Sequence, residues 1–364
     1  MDQDTHTPRR LGKSALEVTP LGFGGGPMGD PRVDLRTAID TVAAAWDGGV
    51  RFYDTAPYYG IGRSERRLGA ALADVAGELD FAVNTKVGRT LQPEPERDER
   101  NRTLSPGGGV RTPRDPRSGL RVHFDYGHEA ILAQHRDSLQ RLGLRKVDAL
   151  TIHDIDFGHQ WPEQVELALA QLARNGGGGA RALEDLRADG RVQAIGAGCN
   201  REMRNYDSWD GGRHEDLIAR LADTVDLDFL ILAGPYTLLD TSALARVLPL
   251  CAERGMGAIV ASPFAGGWLA DPEHIPYMYG DTPAAVRTKT DALQAVCVRH
   301  GVPLAAAALQ FPLAHPLVAA VIPGARSAAE ARAAHALIET RIPPAFWREL
   351  QSVGLLDEAA PVPD

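Results

Sequence analysis

The sequence predicts an α/β protein built as a closed (β/α)8 barrel, and three observations support this fold class. Short apolar runs alternate with amphipathic helical stretches about eight times along the 364 residues. The strand-like runs are almost continuously apolar, which is typical of parallel strands buried on both faces. Eight such units favour a closed barrel over an open sheet. We expect residues 1–364 to form one domain, with its core at about 9–355.

The N-terminal half supplies the first four predicted strand–helix units. Helical spacing is clearest before the fourth strand, where Ile131, His135 and Leu142 share one face. A small hairpin before Val18 is expected to close the barrel floor. The predicted strands are 18–25, 50–54, 81–86 and 147–153, and the predicted helices are 35–47, 64–75 and 128–142.

The C-terminal half continues the alternation, and long connections follow three of the strands. The connection 87–127 is rich in Arg, Gly and Pro and is predicted to be irregular; 154–179 and 263–284 are also long. Barrel active sites are built from such strand-to-helix loops. The predicted strands are 192–198, 228–234, 257–262 and 317–324, and the helices are 180–188, 214–222, 241–253, 284–312, 327–338 and 344–353.

Composition excludes several classes of protein. A formal net charge of −9 argues against a nucleic-acid surface, because phosphate binding requires a basic field. The three cysteines are far apart and form no CxxC pair, so neither a disulfide framework nor a structural zinc site is expected. No run approaches the roughly 20 apolar residues of a membrane span, and the first residues lack a signal-peptide pattern. We therefore expect a cytoplasmic protein with no membrane partner.

Three successive predicted strands end in a reactive side chain. Asp54 ends the second, Lys86 the third and His153 the fourth, while Tyr59 lies five residues beyond Asp54. The carboxyl ends of parallel strands meet at one rim of a barrel, so these four side chains are expected to converge. Each has an ordinary structural explanation when taken alone, as a turn cap, a solvated lysine, a packed aromatic or a buried histidine. Their conjunction is what predicts a site.

The predicted cluster has the chemistry of a proton-transfer site. A free tyrosine has a pKa of about 10, and a nearby lysine ammonium favours the phenolate and lowers that value. Asp54 would hold Lys86 charged, and His153 would hydrogen-bond the substrate oxygen. None of these groups carries hydride, so a cofactor must supply that chemistry.

Four segments resemble the aldo-keto reductase family. GVRFYDTAPYYGIGRSERRLG (49–69) is similar to the family signature, NTKVG (84–88) to its lysine strand, and RLGLRKVDALTIHD (141–154) to the approach to its histidine. IPGARSAAEAR (322–332) resembles the segment that holds the cofactor phosphate. The resemblance runs in order from about residue 9 to 355. It implies an NAD(P)-dependent oxidoreductase with Asp54, Tyr59, Lys86 and His153 as catalytic residues.

The finer resemblance implies a substrate class. GAGCN, LAGPYTLLD and SPFAGGWLA look most like the branch of D-threo-aldose 1-dehydrogenases, which also contains pyridoxal 4-dehydrogenases. The implied reaction oxidises a cyclic hemiacetal of the L-fucose, L-galactose or D-arabinose type to a lactone. Oxidation of pyridoxal, or reduction of aldehydes and ketones, is the alternative. The partner is therefore a small carbonyl compound or sugar, and the oligomeric state is not predicted.

The same resemblance implies the cofactor contacts. The chain departs from the common pattern at Cys199, where many members have the Ser-Asn pair that binds the carboxamide, and at Ala261, where many have a stacking tyrosine. Glu330 stands where many members carry an arginine for the 2′-phosphate, which favours NAD over NADP; the nearby Arg326 argues the other way. The implied contacts are Gly24, Gly25, Cys199, Asn200, Ser262, Pro263, Phe264, Gly324, Arg326, Ser327 and Glu330.

Three other interpretations remain at this stage. GGGPMG (24–29) fits a Rossmann dinucleotide fingerprint, although Pro31 would break the helix that the fingerprint requires. His153, Asp154, Asp156 and His159 resemble a metal-binding run, but the first strand lacks a His-x-His pair, and no metal is expected. A non-enzymatic dinucleotide sensor has no need of the tyrosine–lysine pair.

Overall fold

The structure is a computed structural model that describes residues 7–77, 80–93, 118–200 and 213–363. In this part of the chain the strands are β1 (Arg9–Arg10), β2 (Glu17–Val18), β3 (Phe23–Gly24), β4 (Phe52–Asp54), β5 (Ala82–Val87), β6 (Arg89–Pro93), β7 (Leu120–Phe124), β8 (Ala149–His153), β9 (Ala194–Asn200), β10 (Phe229–Ala233), β11 (Gly257–Ala261) and β12 (Val318–Ile322).

Eight of these described strands form one parallel sheet in the order β3, β4, β5, β8, β9, β10, β11, β12. Parallel bridges between Leu21 and Val321 and between Gly24 and Gly324 bring the two edges of the sheet together. The sheet is therefore closed, which confirms the predicted (β/α)8 barrel. Its carboxyl-terminal rim carries the last residues of every strand, and the connections after the strands surround that rim.

Helices cover the outside of the barrel, and several begin or end at residues that the sequence marks. Asp34 caps the helix that begins at Leu35 by accepting a hydrogen bond from the Thr37 backbone N–H at 2.7 Å, and Gly143 ends the helix that begins at His128 in the left-handed conformation. The described helices are α1 (Leu35–Asp47), α2 (Arg63–Val75), α3 (His128–Leu142), α4 (Pro162–Leu172), α5 (Gly179–Ala188), α6 (Arg213–Thr224), α7 (Val247–Arg254), α8 (Ala284–His300), α9 (Leu304–Gln310), α10 (Ala328–Ile338) and α11 (Pro344–Ser352).

The predicted hairpin closes the barrel floor. β1 and β2 pair antiparallel, and Leu11 and Leu16 of this hairpin belong to the same buried cluster as Phe52 and Phe229 inside the barrel. The run 18–25, predicted as one strand, is divided between the hairpin and β3. Apolar packing at this end leaves the opposite rim as the open face of the barrel.

The prediction that 87–127 is irregular is wrong at both ends of that segment. β6 and β7 form an antiparallel pair in which Leu91 lies opposite Val122 and Arg89 opposite Phe124. The β7 run alternates in polarity as a strand does, whereas β6 does not, and the intervening Gly, Pro and Arg residues obscured the pairing of the two. Residues 94–117 lie outside the described part of the chain.

Two other connections also differ from the prediction. The segment 154–179 contains α4, which begins at Pro162, a favoured residue in the first turn of a helix. The helix predicted over 284–312 is divided into α8 and α9, because Gly301 takes the left-handed conformation and Pro303 follows it. Within the described residues no single helix is long and apolar enough to cross a membrane; α8 and 304–314 meet those criteria only as a pair bent by 102°.

Candidate active site

The carboxyl-terminal rim brings the four predicted catalytic side chains together. Asp54 ends β4, Lys86 is the penultimate residue of β5, and His153 ends β8. Tyr59 lies on the connection between β4 and α2, and its ring centroid is 4.9 Å from Lys86 Nζ and 5.8 Å from the His153 ring centroid. Residues separated by almost 100 positions therefore share one small volume, as the strand-end pattern requires.

Lys86 and Asp54 form a buried ion pair at the centre of this cluster. Lys86 Nζ donates to Asp54 Oδ1 at 2.6 Å, to Oδ2 at 2.7 Å and to the Thr55 carbonyl oxygen at 2.9 Å. Both side chains are almost fully buried, so neither charge is tolerable without the other. The pair fixes an ammonium beside the Tyr59 ring, and a positive charge at that position favours the phenolate.

Asn84 and Thr151 extend the ion pair into a longer hydrogen-bonded chain. Asn84 Nδ2 donates to Asp54 Oδ1 at 2.7 Å, and Thr151 Oγ1 donates to Asn84 Oδ1 at 2.9 Å. The sequence interpretation missed both residues. A usable signal was present for Asn84, because positions two apart in a strand share a face and Asn84 is two residues before Lys86.

His153 is buried at the end of β8 and is held as a neutral imidazole. Burial lowers the pKa of His153 well below its usual value; the Asp154 carboxylate opposes this shift, while Arg89 and Lys86 reinforce it. Tyr126 Oη donates to the His153 backbone carbonyl at 2.7 Å and so anchors the strand end. A neutral imidazole in this position offers one N–H to a substrate oxygen without carrying a charge of its own.

Gly24 and Gly25 occupy the part of the rim where backbones approach most closely. A Cβ on Gly24 would lie 2.7 Å from the Ile322 carbonyl oxygen, and one on Gly25 would lie 2.5 Å from the Asp54 carbonyl oxygen. Gly25 N also donates to that Asp54 oxygen at 2.7 Å. The glycines therefore allow β3 to fit beside the Asp54 strand end and the strand that closes the barrel.

The remaining predicted cofactor residues lie on neighbouring loops. β11 and β12 are adjacent, so the segments 262–264 and 324–327 leave the rim side by side. Ser262 has a φ of +52°, a strained conformation for a residue other than glycine and one that often marks a functional loop. Cys199 and Asn200 end β9, where their backbones pair with β10, but their side chains lie outside the described residues.

The start of α10 places Arg326, Ser327 and Glu330 in one hydrogen-bonded turn. Ser327 Oγ accepts from the Glu330 backbone N–H at 3.2 Å, and Glu330 Oε2 accepts from the Arg326 backbone N–H at 2.8 Å. Arg326 and Glu330 are both exposed. The turn therefore combines an arginine, a glutamate and the amino end of a helix in the segment that follows β12.

The side chains of the predicted metal-binding run lie close together, but the Arg89 guanidinium occupies one of the carboxylates. Asp154, Asp156 and His159 place ligand-type atoms within 4.8 Å of one another, but Arg89 already forms an ion pair with Asp154. Asp156 Oδ1 accepts from the backbone N–H groups of Gly158 and His159, as in an Asx turn. Structural roles therefore account for both carboxylates, and the expectation of no metal stays a prediction.

The Rossmann interpretation of 24–29 is wrong. In the described structure β3 is followed by a three-residue 3₁₀ turn, Pro27–Gly29, and not by the long helix that a dinucleotide fingerprint opens. The strand itself belongs to a closed barrel. The glycines serve the close backbone contacts described above.

Comparison with known proteins identifies the family. The sequence profile described as the Aldo/keto reductase family matches residues 20–354. This chain belongs to the aldo/keto reductase family. It is 37% identical to pyridoxal 4-dehydrogenase of Microbacterium luteolum over 360 residues, covering 96% of this chain and 97% of that protein. It is also 37% identical to D-threo-aldose 1-dehydrogenase of a Pseudomonas species over 350 residues, covering 94% and 96%.

More distant relatives and solved structures agree with this assignment. L-galactose dehydrogenase of Arabidopsis thaliana is 28% identical over 356 residues, covering 96% of this chain and 91% of that protein. An aldo-keto reductase of Bacillus halodurans, solved in its holo form, has a TM-score of 0.69 at 23% identity and covers 98% of both chains. At that identity the structural likeness shows the fold alone, and it confirms the barrel.

Family membership makes this chain an oxidoreductase that uses a nicotinamide cofactor. The rim residues fit such a group chemically. The amino end of α10 and the Arg326 guanidinium suit an anionic pyrophosphate, and the hydroxyls of Ser262 and Ser327 suit its polar periphery. These loops adjoin the cluster of Tyr59 and Lys86, so the chain offers a dinucleotide and a substrate neighbouring places on one rim.

Proposed function

We propose that this aldo-keto reductase oxidises the cyclic hemiacetal form of an aldose to a lactone, using NAD⁺. The aldose is of the L-fucose, L-galactose or D-arabinose type. The observation that carries the proposal is the full-length 37% identity to the Pseudomonas D-threo-aldose 1-dehydrogenase, taken with a rim that holds all four proposed catalytic side chains together.

Pyridoxal is the second candidate substrate, supported by the equal identity to the Microbacterium pyridoxal 4-dehydrogenase. Pyridoxal closes to an internal hemiacetal through its neighbouring hydroxymethyl group. Both candidates therefore present the same reacting group, a carbon that bears one hydrogen, one hydroxyl and one ring oxygen. The difference between them lies in the ring that the surrounding loops must hold.

The rim side chains have separate roles in this proposal. Tyr59 accepts the proton of the anomeric hydroxyl, and Lys86, held charged and in place by Asp54, favours the phenolate that does so. His153 donates its N–H to the same substrate oxygen and stabilises the negative charge that develops there. NAD⁺ bound at this rim would supply the hydride acceptor for the anomeric carbon.

The preference for NAD⁺ rests on Glu330. Its carboxylate is exposed at the start of α10, and one of its oxygens is held by the Arg326 backbone N–H. A fixed carboxylate repels the 2′-phosphate of NADP⁺ and accepts a hydrogen bond from a free ribose hydroxyl. Arg326, four residues before Glu330, carries a positive charge that attracts a 2′-phosphate. We therefore expect a moderate preference for NAD⁺ over NADP⁺.

Replacing Tyr59 with phenylalanine tests the proposed mechanism. We expect kcat/KM for the best substrate to fall by about 1000-fold, because proton transfer is lost. Binding of NAD⁺, followed by quenching of protein fluorescence, should be unchanged. Tyr58→Phe is the matched control: it removes a hydroxyl one residue away and should change kcat/KM by less than about threefold. Near-normal turnover by Tyr59→Phe would refute the assigned role.

A substrate panel tests the substrate class. Formation of NADH should be followed with L-fucose, L-galactose, D-arabinose, pyridoxal and simple aldehydes, each with NAD⁺ and with NADP⁺. We expect the highest kcat/KM for one of the aldoses with NAD⁺. A higher value for pyridoxal than for every aldose would replace the first candidate with the second.

A further inference from the structure

A second buried ion pair lies beside His153 and has no role in the mechanism described so far. Asp154 follows His153, and its Oδ2 atom is 3.2 Å from His153 Nε2. The Arg89 guanidinium pairs with the same Asp154 oxygen. The side chains of Arg89 and Asp154 are each 4% exposed and that of His153 is 6% exposed, so the three groups interact where water screens them little.

The antiparallel pair β6–β7 holds Arg89 in place. Arg89 begins β6 opposite Phe124 of β7, and its guanidinium carbon lies 3.6 Å from the centroid of the Tyr58 ring and 5.1 Å from that of Phe124. A planar guanidinium stacks well on aromatic faces, and lysine does not reproduce this geometry. Arg89 is therefore a fixed charge and not a mobile surface residue.

Asp154 is held just as firmly. Its φ is +55°, in the left-handed region that few residues other than glycine adopt. Its backbone N–H donates to the Gly198 carbonyl at 2.9 Å, and Gln160 Nε2 donates to the Asp154 carbonyl at 2.7 Å. A strained residue persists when its surroundings determine its conformation, and such residues cluster at functional sites.

The two nitrogens of His153 face different surroundings. Nδ1 is buried and has no hydrogen-bond partner among the described residues, so a proton placed there would be an unsatisfied buried donor. Nε2 faces the Asp154 carboxylate, which favours a proton on that nitrogen. Both observations select the neutral tautomer with its proton on Nε2.

We propose that Asp154 keeps the proton of His153 on Nε2, the nitrogen offered to the substrate oxygen, and that Arg89 balances Asp154 so that His153 remains neutral. Arg89 and Asp154 are positioning residues in this proposal, because they act through His153. The part that concerns turnover rests on the proposed function. The protonation of His153 itself is measurable without any substrate.

Several neighbouring groups besides Asp154 and Arg89 affect the pKa of His153. Asp154 raises the pKa of His153, whereas burial, Arg89, Lys86 and His159 lower it. Removal of Arg89 would leave Asp154 as the dominant neighbour and would turn His153 into an imidazolium nearer neutral pH. Among the further titratable groups, Tyr58 and Tyr59 lie edge-on to the His153 ring, and Tyr126 contacts the His153 backbone carbonyl. Asp54 pairs with Lys86, and Asp156 acts on Arg89.

The test measures the ionisation of His153 directly. In ¹⁵N-histidine-labelled protein, the His153 signals are assigned by their loss in His153→Gln, and long-range ¹H–¹⁵N spectra report the tautomer and pKa. We expect the wild type to be neutral and Nε2-protonated from pH 6 to 8. Arg89→Met should raise the His153 pKa by about 1 to 2, and Asp154→Asn should abolish the strict preference for Nε2.

Paired variants separate this electrostatic role from a structural one. Arg89→Lys restores the charge and should return the His153 pKa most of the way to the wild-type value. The double variant Arg89→Met/Asp154→Asn removes both charges, avoids a lone buried carboxylate and should leave His153 neutral. It also carries the test if Arg89→Met does not fold. Arg187→Met, which removes the partner of buried Asp228 at the other end of the barrel, should leave the His153 signals unchanged.

Turnover supplies a second readout. In Arg89→Met the acidic limb of the kcat profile should move to higher pH by the same amount as the His153 pKa, while KM for NAD⁺ is unaffected. Unchanged His153 signals in folded Arg89→Met and Asp154→Asn would overturn the inference even if Tyr59→Phe abolishes turnover. If the signals shift as expected but Tyr59→Phe stays active, the proposed function fails and this inference stands.

Discussion

Replacing His135 with leucine measures how much acid sensitivity one buried imidazole gives this protein. His135 lies on α3 and is 1% exposed, and neither of its ring nitrogens has a hydrogen-bond partner among the described residues. Burial, and then the charges of Arg191 and Arg136, lower the pKa of His135 from its usual 6.5 to about 4. Leucine continues the apolar helical spacing of this face and does not titrate.

The sign and size of the effect follow from linkage. The unfolded chain binds a proton at His135 below about pH 6.5, whereas the folded protein does so only near pH 4, so acidification favours unfolding. The stability that depends on neutral His135 is complete above pH 7 and is lost as the pH falls from 6.5 towards 4. The loss is about 2 kcal/mol at pH 5 and about 3 kcal/mol when fully expressed.

Urea unfolding at pH 8, 7, 6 and 5, followed by circular dichroism, gives the free energy of unfolding of the wild type and of His135→Leu at each pH. The free energy of unfolding of His135→Leu minus that of the wild type should rise by about 2 kcal/mol between pH 8 and pH 5, whatever its value at pH 8. His274→Leu is the control. His274 is exposed beside Asp271, which raises its pKa, so removing it should give a trend of the opposite sign. A flat difference for His135→Leu would refute the reasoning.

Two further predictions concern the rim. Asn84→Leu removes a donor to Asp54 and should lower kcat/KM by about tenfold without changing the KM for NAD⁺, since a hydrogen bond to a charged group is lost; an unchanged kcat/KM in folded protein would count against the role of Asn84. Glu330→Gln removes the charge that opposes a 2′-phosphate and should raise kcat/KM with NADP⁺ several-fold relative to NAD⁺. An unchanged cofactor ratio would show that Glu330 does not face the ribose.

The barrel and the four convergent side chains were predictable because they depend on local patterns repeated along the chain. A buried parallel strand must be apolar on both faces, so a strand such as Ala149–His153 is visible as a run, and its last polar residue marks the rim. The same reasoning failed for β6, β7 and α4. The strands β6 and β7 are short, and Gly, Pro and Arg residues around them conceal the periodicity. α4 is as long as α10, and it was missed only because 154–179 was interpreted as a single connection.

The contacts of Arg89 and Asp154 were beyond the reach of the sequence. Nothing in the local pattern around Arg89 or Asp154 shows that they pair, because the contact depends on how β6–β7 folds over the end of β8. The pKa shift of His153 is inaccessible for the same reason: it depends on burial and on charges brought by other strands. The assignments of Cys199 and Asn200 to the cofactor rest on resemblance alone.

The two faces of β5 explain why the signature segment 49–69 carries a glutamate as well as an aspartate and a tyrosine. Lys86 points to the barrel interior and to Asp54, whereas Thr85 points outward, where its Oγ1 donates to Glu65 Oε1 at 2.8 Å. Glu65 Oε2 in turn accepts from Arg141 Nε at 2.5 Å, which ties α2 to α3. The segment 49–69 therefore contacts both faces of β5, through Asp54 on the inner face and Glu65 on the outer face. Both contacts fix the position of Lys86 at the rim.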